Sequence, residues 1–469
     1  MDVTPEILAA QERLSPVQRR FAEFFLAEPA CRDPRAWDPL AVRDDFLRFD
    51  LQRWQVFLGP EAREELARAT TAVCRLVREI PRSIFGLDPG PIADWYGFPR
   101  EVVSLVTAWI ERSQSLPDVL ARADLIWTAQ GLKTCEVNAS GNLGGWEVGS
   151  WASRYRQVEP LGRFLDGLGD GVALTDPFDR TFEHLVRLGL RHGLADAGTL
   201  NLAIQIEAPV TPEWGSFVDR SYRAALAALA PGLDGRAIIA AFPDAIAERD
   251  GRLSAEGHPV HLVIDTTPWQ AKRALYAAVM AGRALILNGP VAAILSHKSN
   301  LALLSELEAA GELAREDAEA VRRYVPWTRR VSDDFVDFEG ERTYLPDLLV
   351  ERREDLVLKA SLSMGGADVH LGRTTPPPVW RQLAERAAAQ GGWIVQQLAA
   401  SLPYLLGDAE GRPEWHDVIW GTFAWGAWGD GPVEAGYHGA FLRHKPCAQE
   451  GIINAAQGAT IGLYWDVPE

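Results

Sequence analysis

Between residues 200 and 290 the chain alternates short apolar runs with a helical pattern, and that alternation restricts the fold more than anything else in the sequence. Leu200–Ile206 reads as a strand and Phe217–Leu229 as a helix. Ala237–Phe242, Val260–Ile264 and Ala284–Asn288 read as further strands. Runs of this length that alternate with a helix bury both faces of a mostly parallel sheet, which defines an α/β class. No Gly-x-Gly-x-x-Gly opens a helix here, so the dinucleotide fingerprint is absent.

The flanks differ. Residues 1–115 read as a helical N-terminal region, with apolar spacing such as Phe21, Phe24 and Phe25, then Leu66, Val73, Leu76 and Val77. The stretch 116–195 opens with two strand-like runs, Val119–Trp127 and Leu132–Asn138, around a turn at Gln130-Gly131. Segment 196–295 is the α/β part. Segment 296–469 begins with a helix after Ser296-His297-Lys298 and becomes β-rich toward its end.

The chain has 469 residues, 47% apolar and 24% charged, ordinary values for a globular protein with a large core. A net charge of -17 argues against a nucleic-acid binder, which needs a basic surface. Four cysteines, Cys31, Cys74, Cys135 and Cys447, form no CxxC pair, which fits a reducing compartment and makes a zinc cluster or disulfide framework unexpected. No signal peptide and no membrane-length apolar run is visible, so a cytoplasmic location without a membrane partner is expected. The seventeen tryptophans include a late group, Trp415, Trp420, Trp425, Trp428 and Trp465, read as aromatic filler rather than as a stacking platform.

Three places carry polar chemistry. In the first hairpin, alternate residues share a face, so Arg122 and Asp124 point one way on one strand and Glu136 and Asn138 on the other. Two carboxylates and an amide oxygen make a hard site suited to Mg²⁺; a solvated hairpin face reads equally well from these residues alone. Lys298 sits at a helix start, where the macrodipole disfavours a cation unless an anion sits there too. Leu356–Ala360 is an apolar run carrying Lys359, followed by a small-residue loop with Ser363, Gly365 and Gly366, and then Val369–Gly372. Glycines let backbone N–H groups approach phosphate, and the lysine adds a point charge, although an ordinary hairpin with a small-residue turn also reads this way. The loop is not a Walker A motif, because no Gly-Lys-Ser/Thr follows.

In this order, these pieces resemble the circularly permuted ATP-grasp ligases, above all the synthetase domain of the glutathionylspermidine synthetase group. The resemblance runs from about residue 118 to the end. It rests on Arg122-Ala123-Asp124 with Glu136-Val137-Asn138, on Ser296-His297-Lys298, on Val357-Leu358-Lys359 with Gly365-Gly366, on Ile394-Val395-Gln396-Gln397, and on Gly439–Arg443 with Ile452-Ile453-Asn454. It implies an ATP-grasp fold in permuted order, with a Rossmann-like segment before it. It also implies ATP and Mg²⁺. Asp124, Glu136 and Asn138 would be the metal ligands. Lys298, Lys359, Ser363, Gly365 and Gly366 would lie at the phosphates, and Gln396, Gln397 and Leu398 at the adenine. Arg122 would be catalytic and Arg443 would hold substrate. The activity implied is amide formation from small-molecule carboxylate and amine substrates through an acylphosphate. A phosphotransferase and a non-catalytic ATP-binding scaffold are the alternatives. Three features depart from that family. The N-terminal part shows no cysteine amidase, the loop is poorer in glycine, and Ala139–Glu147 differs, so glutathione and spermidine are not implied as substrates.

Overall fold

The structure is a computed structural model that describes residues 8, 11–41, 49–113, 119–207, 210–241, 245–267, 273–363, 366, 368–408, 412–425 and 436–468. Three sheets organise it. The parallel sheet has the strand order Leu285–Leu287, Leu262–Asp265, Leu202–Ile206, Ala237–Ala241, with every pairing parallel. One expected strand divides. His258–Val260 belongs to a small meander and Leu262–Asp265 to the parallel sheet. The chain changes sheets at His261, whose N–H donates to the Asn201 carbonyl while its Nδ1 accepts the Asn201 N–H at 2.8 Å. Phe242, the end of another expected strand, lies outside the described residues, as does Trp428.

The large sheet is antiparallel and joins distant parts of the chain. Its order is Thr460–Gly462, Tyr437–Pro446, Pro413–Ala424, Ala121–Thr128, Gly131–Asn138, with Tyr404–Gly407 beside Pro413–Ala424. One face packs on the Pro60–Glu79 helix, which brings Cys74 and Val77 against Ala121 and Val137. Trp420, Trp425 and Trp465 are buried in the same core, as filler side chains should be.

The small sheet, Thr328–Arg330, Trp393–Gln397, Leu356–Ala360, Val369–Leu371, is antiparallel. Leu356, Leu358, Trp393 and Val395 pack on Leu345, Leu348, Leu349, Trp380 and Leu383. Strand alternation therefore sends Lys359 and Gln396 to the opposite face, toward the large sheet.

The N-terminal region is helical as expected, with helices Pro16–Ala27, Pro60–Glu79, Pro89–Tyr96 and Arg100–Ser113. It also holds a strand that the helical reading did not anticipate. Val56–Leu58 pairs in parallel with Tyr464–Asp466. Phe21, Phe25, Trp54 and Phe57 join the central core with Tyr464 and Trp465, so this region is built into the main body. No helix among the described residues is long and apolar enough to cross a membrane.

Candidate active site

The site grows from the hairpin Ala121–Thr128 and Gly131–Asn138. Its turn is closed by Thr128, whose hydroxyl donates to the Gly131 carbonyl at 2.7 Å and accepts the Gln130 N–H at 3.1 Å; Gly131 has φ +95°. The register sets Arg122 opposite Asn138 and Asp124 opposite Glu136. Side chains on one strand also meet, Arg122 with Asp124 and Asn138 with Glu136, so all four occupy one face.

The register slips just past Asp124, where Leu125 pairs with Thr134 and Cys135 is left over. This is a β-bulge, and it frees a backbone carbonyl that a regular ladder would consume. Lys359 Nζ donates to that Cys135 carbonyl at 2.9 Å and to Gln396 Oε1 at 2.6 Å. Gln396 Nε2 in turn donates to Thr328 Oγ1 at 3.1 Å. Lys359 is thus buried between the two sheets, and that burial lowers its affinity for a proton.

Asp124 is also buried, and its oxygens are held by two arginines. Arg122 Nε and Nη2 donate to Oδ1 and Oδ2 at 2.9 and 3.2 Å, and Arg443 Nη2 lies 2.7 Å from Oδ2. Burial alone would raise its pKa, but the two guanidinium groups hold the carboxyl well below the usual range. Both arginines lie over the ring of Phe441, at 5.6 Å for Arg122 and 5.3 Å for Arg443. The ring itself lies so close to Gly421 and Gly145 that a Cβ at either would overlap it.

Lys298 stands at the N-cap of the Ser299–Ala310 helix, and its own N–H donates to the Ser361 carbonyl at 3.0 Å. Its Nζ donates to the Ser363 carbonyl at 2.6 Å and lies 3.7 Å from Glu136 Oε2. Lys298, Ser363 and Glu136 therefore converge although 227 positions separate Glu136 from Ser363. Gly366 has φ +76° and packs near Ile452 and Gln457 of the closing segment. Gly365 lies outside the described residues.

The expected adenine strand differs from a free hinge. The Gln397 N–H donates to the Trp327 carbonyl at 2.8 Å and the Leu398 N–H to the Asp355 carbonyl at 2.7 Å. The strand Trp393–Gln397 and the residue after it thus have both amides occupied by neighbouring backbone. The Gln396 side chain lies in the lysine network described above rather than at an open edge.

Arg122, Lys298, Lys359 and Arg443 thus set four cations around the carboxylates Asp124 and Glu136, a locally positive region in a chain of net charge -17. Such a region suits a polyanion. Among the described residues no group of three or more His, Cys, Asp or Glu is placed to hold a metal. The hard-oxygen donor nearest that role is the half-buried Glu136 carboxylate, whose Oε1 accepts the Asn138 side-chain N–H at 3.2 Å. Asp124, the third expected ligand, here anchors guanidinium groups. Sequence reasoning missed Phe441, the Cys135 carbonyl and the Gly144-Gly145 turn. Of these, only Phe441 carried a signal, standing two residues before Arg443 and so on the same strand face. A separate cavity of 720 Å³ meets this site at Ser299 and Ser361.

No protein-family model and no curated protein matches the chain. Among solved structures its fold is similar to that of a glutathione synthetase-like effector from Globodera pallida in its apo form. The TM-score is 0.59 at 15% identity, over 93% of this chain and 96% of that one. The chain is therefore a mixed α/β protein with a distant fold relationship to a glutathione synthetase-like structure.

Proposed function

We propose that this protein is an ATP-dependent, ADP-forming carboxylate–amine ligase that acts on amino acids or small peptides. The observation that carries the reading is the convergence of Lys298, Lys359, Arg122 and Arg443 on one polar face, beside the Glu136 carboxylate and the Asn138 amide that donates to it. The fold likeness to a glutathione synthetase-like protein supports it.

In this reading Lys298 and Lys359 hold the triphosphate from two sides, exchanging their present carbonyl partners for phosphate oxygens. The segment around Ser363 and Gly366 covers it and keeps water from the reacting groups. A substrate carboxylate attacks the γ-phosphorus, ADP leaves, and an amine then displaces phosphate from the acylphosphate. Arg122 and Arg443, already oriented by Asp124, bind the carboxylate and stabilise the oxyanion that develops in the second step. Arg443 Nε is buried without a hydrogen-bond partner among the described residues, which leaves a donor for that anion. Glu136 and Asn138 would hold Mg²⁺, whose charge offsets that of the phosphates. The remaining work is positioning and charge neutralisation.

The test is an ADP-release screen that crosses carboxylates with amines, with mass spectrometry of the product. ADP formation should require one of each and should vanish in Glu136→Ala. ADP release that needs no amine, with a stable phosphorylated product, would favour phosphoryl transfer. Bound ATP with no turnover in any combination would favour a scaffold.

A further inference from the structure

An acylphosphate reacts with a neutral amine, yet amines reach an enzyme near pH 7 as ammonium ions. A ligase of this kind therefore needs a group that takes a proton. Of the carboxylates already placed at the site, neither is free to do so. Asp124 is held by two guanidinium groups, and Glu136 is engaged by Asn138 and Lys298.

A third carboxylate stands beside them. The turn after the hairpin performs two tasks with consecutive residues. The Gly144 carbonyl accepts Arg122 Nη1 at 2.8 Å, and the Gly145 N–H donates to Glu147 Oε2 at 2.8 Å. Gly145 has φ +101° and lies flat against Phe441, the ring that also carries Arg122 and Arg443. The turn is anchored at both ends. A Cβ on Gly141 would overlap the Asp265 and Leu287 carbonyls at the carboxyl ends of the parallel strands, and Trp146 stacks on Phe178 at 5.2 Å and 9°. One small, fixed loop thus positions the Arg122 guanidinium and the Glu147 carboxylate together. It lies against the carboxyl edge of the parallel sheet, the side on which α/β sheets receive ligands.

We propose that Glu147 receives the ammonium form of the amine substrate and serves as the general base for amide formation, a role that rests on the ligase reading above. Oε2 is fixed by the Gly145 N–H, the carboxylate also takes a backbone hydrogen bond from Glu147 itself, and a remaining lone pair takes the ammonium proton. One ammonium proton passes to Glu147, and the freed lone pair forms the C–N bond. The acyl carbon–oxygen bond breaks with its electrons on the departing phosphate, which carries away the second proton. Glu147 then returns its proton to solvent. The half-buried setting raises its proton affinity above that of an ordinary glutamate, as a base requires. Arg122 is the charged group that opposes this shift. Glu147 begins the short helix Trp146–Trp151, and Asp176 lies against Gly149 of that helix.

Hydroxylamine is neutral near pH 7 and needs no base, so it separates the two roles. The full chain is given ATP, Mg²⁺ and a panel of amino acids and dipeptides as carboxylates. Hydroxamate formation is compared with amide formation from the active amine of the screen. Glu147→Gln keeps an acceptor for the Gly145 N–H. It is expected to lower the amide-to-hydroxamate ratio by about 100-fold or more, within the range of general-base effects, and Glu147→Asp should restore part of it. A Gln variant that lowers both products alike, or neither, overturns this inference alone. A wild-type protein that forms no hydroxamate with any carboxylate overturns the ligase reading and this inference with it.

Discussion

Replacing Asp124 with asparagine would leave two guanidinium groups facing a neutral amide in a nearly dry setting, since the Asp124 and Arg443 side chains are 3% and 7% exposed. Breaking one side of such a buried pair costs about 3–5 kcal/mol, which urea unfolding of Asp124→Asn would measure. The pH dependence has a definite sign. The folded pKa lies below the unfolded value, so the unfolded chain binds more protons and stability rises with pH. The contribution is present above about pH 4 and is lost as pH falls below it. Lys359 poses the reverse problem, because burial disfavours its charge in the ligand-free protein. A bound triphosphate would remove that penalty. At about 100 times its Kd, ATP should stabilise the wild type by about 2.7 kcal/mol, read as a rise in Tm. Lys359→Met should show no such rise.

The helix Pro177–Arg191 offers a test of capping. Asp176 accepts the Phe178 N–H at 2.8 Å as its N-cap, yet burial pushes its carboxyl up to about 7. A raised folded pKa means that the folded state holds the proton longer, so stability should fall as pH rises from about 4 toward 7. Asp176→Asn keeps a capping oxygen and should flatten that slope in a series of thermal melts across the window. Elements such as these were legible to different degrees. The parallel sheet followed from apolar runs alternating with a helix, and the shared face of Arg122, Asp124, Glu136 and Asn138 followed from the period of a strand. The Cys135 bulge was not legible, because a one-residue slip depends on the partner strand and leaves no mark on local periodicity. Nor was the pairing of Asp124 with Arg443, which requires the order of strands in the sheet. That the amides of Gln397 and Leu398 are already taken was not legible either, because local sequence does not reveal that the carbonyls of Trp327 and Asp355 lie within reach.

At the scale of the molecule, the N-terminal region closes the structure rather than decorating it. Trp54 and Phe57 lie in the core with Tyr464 and Trp465, and Gln52 Nε2 donates to the Leu463 carbonyl at 3.3 Å. Removing residues 1–59 should therefore yield a chain that melts without a cooperative transition by near-UV circular dichroism, whereas a separable domain would leave the remainder folded. The parallel pairing of Val56 with Tyr464 also sets a timetable. A ribosome adding about 5–20 residues per second needs roughly 20–80 s between one partner and the other. Throughout that interval Val56–Leu58 has no strand to join, although Phe21 and Phe164, which pack on Phe57 at 5.0 and 5.5 Å, are made earlier. The order of residues that pairs an early strand with a late one thus leaves the backbone edge of Val56–Leu58 unpaired in the nascent chain until Tyr464–Asp466 is synthesised.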